Sequence, residues 1–132
     1  MKARRLAWFA LLGASTLAFA AADGSWLRKV PAAEHARVNP VAGQPDAIAA
    51  GHNLYHDNCA RCHGADAQGK SGRPALRSPR LSAASDGDLA WILRNGVVFK
   101  GMPRWAGLPE QERWQIVAFL RSLNPPASGD RP

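Results

Sequence analysis

The sequence predicts an all-α fold, because three segments repeat small or apolar residues with helical spacing and no stretch alternates like a β-strand. The chain has 132 residues, which allows one domain after a targeting segment. A domain of this size has only a marginal hydrophobic core of its own. The three periodic segments are predicted to form the main helices, which are joined by long loops.

The first predicted helix begins at Asp46 and carries its small and apolar residues on one face. These residues recur at intervals of three or four, as in a helix that packs on one side. They are Ile48, Gly51, Tyr55, Cys59 and Cys62. The predicted buried face of this helix therefore includes two cysteines.

The second predicted helix begins near Ser85 or Asp86 and ends at Gly96, a typical residue after a helix C-terminus. The third opens at Pro109, with acidic residues in its first turn, and ends at Asn124 before another proline. Their buried faces are predicted to carry Leu89, Ile92 and Leu93 in the second helix, and Ile116, Phe119, Leu120 and Leu123 in the third.

Long connections separate the predicted helices, over residues 64–84 and 97–108. Such lengths are unusual in a compact helical domain unless the loops have a function or wrap a cofactor. Residues 23–45 contain three prolines, which break helices, and we interpret them as an extended arm. This arm either wraps the core through Trp26 and Leu27 or is a mobile spacer.

The N-terminal segment has the pattern of a secretory signal. Basic residues at positions 2, 4 and 5 precede an uncharged stretch rich in alanine and leucine, which ends in small residues. Residues 1–22 are therefore predicted to be cleaved, with an uncleaved membrane anchor as the alternative. The rest divides into the arm (23–45), a domain over 46–124 and a disordered tail over 125–132.

The charge of the chain is positive but dispersed. The net charge of +7 falls to +4 without the three basic residues of the signal segment, and no run of lysine or arginine occurs. This favours docking to an acidic protein surface and argues against nucleic-acid binding. Membrane association is expected only if the N-terminal segment is uncleaved. The sequence contains no Ser/His/Asp set, paired carboxylates or phosphate loop, so we do not predict an enzyme.

The decisive motif is Cys-Ala-Arg-Cys-His at residues 59–63. Its reactive residues are Cys59, Cys62 and His63. Thiols three residues apart on a helix can both add to the vinyl groups of a haem, and the adjacent histidine reaches the iron. A thioredoxin-like pair would need a preceding strand. A zinc site would need four ligands, and only His52 and His56 could join the cysteines. The sequence therefore predicts one covalently attached haem c.

Met102 is predicted to be the sixth iron ligand, because it is the only methionine after the signal segment. It lies between Gly101 and Pro103, in a loop where a core-filling methionine is not expected. A thioether suits haem iron, and it raises the reduction potential when it is paired with histidine. His35 in the arm is the geometric rival, since other histidines precede His63 on its own helix.

Together these features resemble the class I cytochrome c family, over about residues 46–124. The resemblance implies a small cytochrome c fold wrapped around one covalent haem, with the first and last helices crossing at a small residue. The matching residues are Cys59, Cys62, His63 and Gly64 in the attachment motif, Gly51 and Tyr55 before it, Gly101, Met102 and Pro103 in the methionine loop, and Trp114, Phe119 and Leu120 in the last helix.

The resemblance also implies a role for the loop after the motif. In the family a proline carbonyl there accepts a hydrogen bond from the ligand histidine, and Pro74 matches it, with Arg73 where glycine is common. Trp105, Arg73, Arg77 and Arg80 are candidates for hydrogen bonds to the haem propionates. For each arginine a solvated surface position is the alternative.

The function implied by the resemblance is electron transfer by a periplasmic monohaem carrier, between a redox enzyme and the respiratory chain. A quinoprotein-type dehydrogenase is one candidate donor. Two alternatives stay open: a cytochrome subunit permanently bound in a dehydrogenase or oxidase complex, and a haem-based gas sensor or enzyme with an open iron site. Ligation by Met102 argues against the open site.

Overall fold

The computed structural model describes residues 25–125, and this region is helical. Residues 25–125 contain two isolated β-bridges and no strand, which confirms the all-α class. The predicted signal segment and residues 126–132 of the predicted tail lie outside the described residues. In chain order the helices are α1 (Ala32–His35), α2 (Pro45–Asn58), α3 (Ala60–His63), α4 (Pro79–Ala83), α5 (Asp86–Asn95) and α6 (Glu110–Leu123), with 3-10 turns at Ser25–Lys29 and Val98–Lys100.

Helices α2 and α6 cross at Gly51. A Cβ atom at Gly51 would lie 1.9 Å from the carbonyl oxygen of Gln115 and 3.0 Å from Cβ of Phe119. Only a residue without a side chain permits so close an approach. The buried ring of Tyr55 lies 5.3 Å from the ring of Phe119, beside the crossing. The predicted crossing is therefore confirmed, with the Gln115 backbone as the nearest neighbour.

Helices α5 and α6 begin and end close to the predicted residues. Ser85 and Asp88 form a capping box, in which each backbone N–H donates to the other side chain, at 2.8 Å and 3.0 Å. Such a box satisfies two donors that a helix N-terminus otherwise leaves without partners. Gly96 follows α5 with a φ of +66°, and Pro109 precedes α6. Local sequence signals thus define both helices.

The arm is more structured than the extended segment predicted for residues 23–45. It contains the first 3-10 turn and α1, which begins directly after Pro31. The fixed φ of proline suits the start of a helix, so this proline initiates a helix as well as restricting the chain. Helix α1 lies against the N-terminus of α5, where a Cβ at Gly87 would be 1.8 Å from the Glu34 carbonyl oxygen.

The arm also wraps the core. Trp26 and Leu27 contact the buried cluster as predicted, and Val41 contacts it as well. The side-chain amide of the buried Asn39 donates to the carbonyl of Trp114 at 2.9 Å. Residues 25–45 are therefore part of the packed structure, and the mobile-spacer alternative does not hold for them.

The helix predicted to run from Asp46 through both cysteines is interrupted at Cys59. Helix α2 ends at Asn58, and Cys59 has φ −117° and ψ −36° before α3 begins. The interruption rotates the following turn, so that Cys59 is buried while Cys62 is exposed. The two thiols therefore do not share one continuous buried face.

The loop predicted for residues 64–84 also contains a short helix. Helix α4 begins after Ser78, whose side chain accepts from the Leu81 N–H at 3.4 Å. Its buried Leu81 joins the core cluster. Of the helices described in residues 25–125, none combines the length and the apolar character needed to cross a bilayer.

Candidate haem-binding site

The two cysteines and His63 occupy a single tight turn. The N–H groups of Cys62 and His63 both donate to the carbonyl of Cys59, at 3.0 Å and 2.9 Å. Both cysteines are free thiols, so neither is committed to a disulfide. Burial, and secondarily the nearby Cys62, raises the pKa of the Cys59 thiol to about 11. Before the haem is attached, Cys59 is therefore a neutral thiol at physiological pH.

The imidazole of His63 is oriented by the loop that follows the motif. Its Nδ1 lies 2.9 Å from the carbonyl oxygen of Pro74. A carbonyl can only accept, so Nδ1 is the donor of this hydrogen bond and Nε2 is the ring nitrogen left to bind a metal. A histidine fixed in this way has the tautomer and orientation of a metal ligand. This is the hydrogen bond that the family resemblance implies for Pro74.

The turn that presents Pro74 is closed by backbone contacts. Gly69 donates its N–H to the carbonyl of His63 at 2.8 Å, and with a φ of +86° it leaves no room for a side chain beside the Arg73 carbonyl. Ser71 and Gly72 also have left-handed backbone conformations, with φ values of 48° and 78°. Arg73 has an ordinary φ, so arginine fits where the family often has glycine.

Two polar side chains make contacts with this loop that were not predicted from the sequence. The hydroxyl of the buried Tyr55 donates to the carbonyl of Gly64 at 2.7 Å, which fixes the chain directly after His63. Asn124 donates to the Leu76 carbonyl at 2.6 Å and accepts from the Ser78 N–H at 2.9 Å. An asparagine at a helix end before proline is the signal that could have indicated a buried polar contact.

Met102 lies in a tight loop that follows α5 in the chain. Its N–H and carbonyl pair with those of Val97, at 3.2 Å and 3.0 Å, and Gly101 completes the turn with a φ of +83°. A side chain at Gly96 would approach the Met102 carbonyl to 2.7 Å, so glycine is required there as well. The N–H of Trp105 donates to the Leu93 carbonyl at 2.8 Å, which anchors the loop to α5.

The side chains proposed around the haem have different surroundings. Met102 and Trp105 are partly buried against the core cluster. Arg77 donates from Nε to the Asp66 carbonyl at 2.8 Å, and Arg73 makes a long 3.4 Å hydrogen bond to the Lys100 carbonyl. Two of the three arginines named from the sequence are thus engaged with loop backbone.

The remaining histidines lie away from the ligand loops. His35 Nδ1 is 2.9 Å from a carboxylate oxygen of Asp88, at the N-terminus of α5. His52 and His56 are exposed on α2, and the His52 ring meets Phe119 edge-on at 5.1 Å. Within residues 25–125 no three His, Cys, Asp or Glu side chains form a possible metal cluster. The geometry therefore favours neither the zinc alternative nor His35 as a ligand.

These residues fit a covalently bound haem. The chain provides two free thiols, an imidazole with one nitrogen hydrogen-bonded to a carbonyl and a thioether in a rigid loop. Imidazole and thioether are ligands that haem iron accepts. Partly buried apolar side chains of α2 and of the two loops pack against the core cluster, which suits a largely apolar ring: Leu54, Leu76, Trp105 and Leu108.

Comparison with known proteins identifies the family. Residues 46–120 match the family model described as cytochrome c oxidase, cbb3-type, subunit III. Cytochrome c550 of Pseudomonas aeruginosa is 35% identical over 89 residues, which are 64% of this chain and 61% of that protein. Cytochrome c-554(547) of Halothiobacillus neapolitanus is 35% identical over 86 residues, which are 57% of this chain and 94% of that protein.

A shorter match is to the cbb3-type cytochrome c oxidase subunit CcoP of Rubrivivax gelatinosus. It is 53% identical over 36 residues, which are 27% of this chain and 12% of that protein. The chain thus spans less than two thirds of cytochrome c550 and a small part of CcoP. Because the family model covers more than half of the chain, the protein belongs to this family and is a class I monohaem c-type cytochrome with covalently bound haem c.

Proposed function

We propose that the protein is a periplasmic one-electron carrier. In it Cys59 and Cys62 would hold the haem through thioether links, and His63 and Met102 would bind its iron. The observation that carries this proposal is the 2.9 Å contact between His63 Nδ1 and the Pro74 carbonyl, beside two free thiols. When bound, the haem supplies an iron that changes oxidation state by one electron.

The protein's part in this function is to keep the ligands in place. The Pro74 carbonyl fixes the His63 ring, and the backbone pairing with Val97 fixes Met102. Ligands held by short backbone contacts move little between oxidation states, so little reorganisation accompanies each electron. The hydrogen bond at Nδ1 also increases the basicity of the imidazole and tunes the iron. Pro74 and Trp105 complete the proposed haem environment.

The partners we propose are redox proteins with acidic docking surfaces. The net charge of +4 after residues 1–22 supports this choice, and the secretion pattern of those residues supports a periplasmic location. A quinoprotein-type dehydrogenase would donate electrons and a terminal oxidase would accept them. A permanently bound oxidase subunit is the second candidate, favoured by the match of 36 residues to CcoP.

Carbon monoxide binding tests the ligand assignment. The reduced holoprotein should not take up carbon monoxide at neutral pH, because Met102 occupies the sixth position. Met102→Ala should bind the gas, lose the thioether-to-iron charge-transfer band and show a lower reduction potential, since a thioether favours ferrous iron. Val98→Ala, an apolar truncation in the same loop, is the matched control and should retain the charge-transfer band, the reduction potential and the exclusion of carbon monoxide.

Two results would contradict the proposal. Ready uptake of carbon monoxide by the wild-type protein would favour the gas-sensor or enzyme alternative. Loss of haem from the Met102→Ala protein on a denaturing gel would show that the link does not run through Cys59 and Cys62. Isolation of the native protein only within a stable oxidase complex would favour the subunit alternative over the free carrier.

A further inference from the structure

Two large apolar side chains are exposed next to the methionine loop. Phe99 is 69% exposed and its neighbour Val98 is 57% exposed, in the 3-10 turn that closes the loop. Single exposed apolar residues are common on protein surfaces, whereas adjacent ones at a functional loop indicate an interaction site. The turn ends directly before Gly101 and Met102, so this surface belongs to the segment that carries the proposed ligand.

Two lysines from separate parts of the chain surround the exposed ring. The Lys29 ammonium lies 4.7 Å from the centre of the Phe99 ring, and the Lys100 ammonium lies 5.9 Å from it. Lys29 comes from the arm, whereas Lys100 belongs to the loop itself. Contacts of this kind hold an aromatic face and a cation together while both remain exposed to solvent. We call Lys29, Val98, Phe99 and Lys100 the Phe99 patch.

We propose that the Phe99 patch is the docking surface for the redox partner, and that the partner offers an apolar area bordered by carboxylates. This inference rests on the proposed function and specifies its partner. An exposed aromatic bordered by cations complements such a surface in both polarity and charge. The aromatic ring provides contact area at the centre, and the lysines steer the approach.

The occupant is identified by the charge of the patch. A second copy of this chain would bring the same two lysines against each other, which like charges oppose. An anionic lipid surface would also attract lysine and phenylalanine, and it is a separate outcome of the test below. A protein partner agrees better with a patch at the loop of the proposed iron ligand, because electron transfer needs the partner close to that loop.

Rapid-mixing kinetics with the reduced holoprotein can test the patch. The protein probe is the soluble CuA domain of a terminal oxidase, chosen for carboxylates around an apolar surface, and the small-molecule probe is hexacyanoferrate(III). Phe99→Ala is compared with Val38→Ala, which truncates a 78% exposed residue of the arm. Lys29→Gln and Lys100→Gln are compared with Arg94→Gln, which removes the same charge from an exposed site on α5.

Phe99→Ala should lower the second-order rate constant with the CuA domain by about tenfold at each salt concentration, as for an interface anchor. Its rate with hexacyanoferrate and its charge-transfer band should be unchanged. Each lysine variant should lower the CuA rate by about two- to threefold at low salt and flatten its salt dependence. Val38→Ala should match the wild type, and Arg94→Gln should change the rate less than either lysine variant.

Other results would overturn the inference. A CuA rate that Phe99→Ala leaves unchanged would remove the patch from docking. Phe99-dependent binding to phosphatidylglycerol vesicles with an unchanged CuA rate would assign the patch to a membrane. A wild-type dimer that Phe99→Ala dissociates, seen by sedimentation, would assign it to a second copy. Failure of the proposed function itself would be recognised separately, as a wild-type spectrum without the methionine band.

Discussion

The crossing of α2 and α6 and the two ligand loops are built on different principles. At the crossing, the side chain of Tyr55 is almost fully buried, and the backbones approach so closely that Gly51 has no room for a methyl group. In the loops, His63 is held by one side-chain hydrogen bond to Pro74, and Met102 is held by its backbone pairing with Val97. Packing thus fixes the positions of the helices, whereas backbone hydrogen bonds fix the positions of the two proposed ligands.

Because of this difference, residues at the crossing should determine stability, whereas residues in the loops should determine the properties of the proposed iron site. Buried, close-packed atoms contribute most to the free energy of unfolding, and they tolerate little change of volume. Loop residues contribute less to unfolding but set the position of a ligand and its hydrogen bonds. Substitutions at the crossing should therefore change stability first, whereas substitutions in the loops should change ligation and potential first.

Gly51→Ala should give the largest loss of stability. The new Cβ would overlap the Gln115 carbonyl oxygen, and such overpacking costs about 1–3 kcal/mol or more. Alanine is the better helix former by about 1 kcal/mol, so the loss cannot come from helix propensity. Gly107→Ala in the methionine loop is the matched control, because nothing lies within 4 Å of its Cβ position. Chemical denaturation that shows equal stability for both variants would contradict the comparison.

Asn124→Ala should affect both regions, because its side chain joins the end of α6 to the loop that presents Pro74. It would leave the Leu76 carbonyl and the Ser78 N–H without this partner, at a cost of about 1–3 kcal/mol. Asn95→Ala is the control, because the Asn95 side-chain amide donates a hydrogen bond to the Trp91 carbonyl within its own helix. The reduction potential should shift only in the Asn124 variant. A shift of equal size in both would remove Asn124 from loop positioning.

The folded protein should lose stability at alkaline pH because the Tyr55 hydroxyl is buried. Burial raises the pKa of its hydroxyl from 10.0 to about 12, so the native state keeps a proton that the unfolded chain releases. This contribution is complete below pH 10 and decreases as the pH rises towards 12, with a slope of at most about 1.4 kcal/mol per pH unit. Tyr55→Phe should remove the slope, and tyrosinate absorbance reports this residue alone because the chain has one tyrosine.

Glu110→Gln should have the smallest effect. The Arg37 guanidinium pairs with this carboxylate, joins the arm to the first turn of α6 and lowers the pKa of Glu110. The pair is exposed, so its loss should cost less than about 1 kcal/mol and should disappear at high salt. The stabilisation is present above the normal carboxyl pKa and is lost as the pH falls through the lowered pKa. A larger loss that salt does not reduce would mean that the arm stabilises the fold through this contact.

The main helices follow from the sequence because their signals are local. Ser85 caps α5, Gly96 ends it and Pro109 precedes α6, and each residue acts through contacts within a few positions of itself. The attachment motif is equally local, since Cys59, Cys62 and His63 occupy a single turn of the chain. Periodicity, capping and motif spacing were sufficient for this part of the protein.

The tertiary structure decided what depends on distant parts of the chain. The sequence could not show that the arm folds against Gly87, that Tyr55 reaches Gly64, or that Asn124 holds the loop of Pro74. Nor could it show that Lys29 lies beside Phe99, because seventy positions of chain separate them and only the packed arm brings them together. Contacts of this kind are set by how the helices pack, and no local propensity encodes which partners meet.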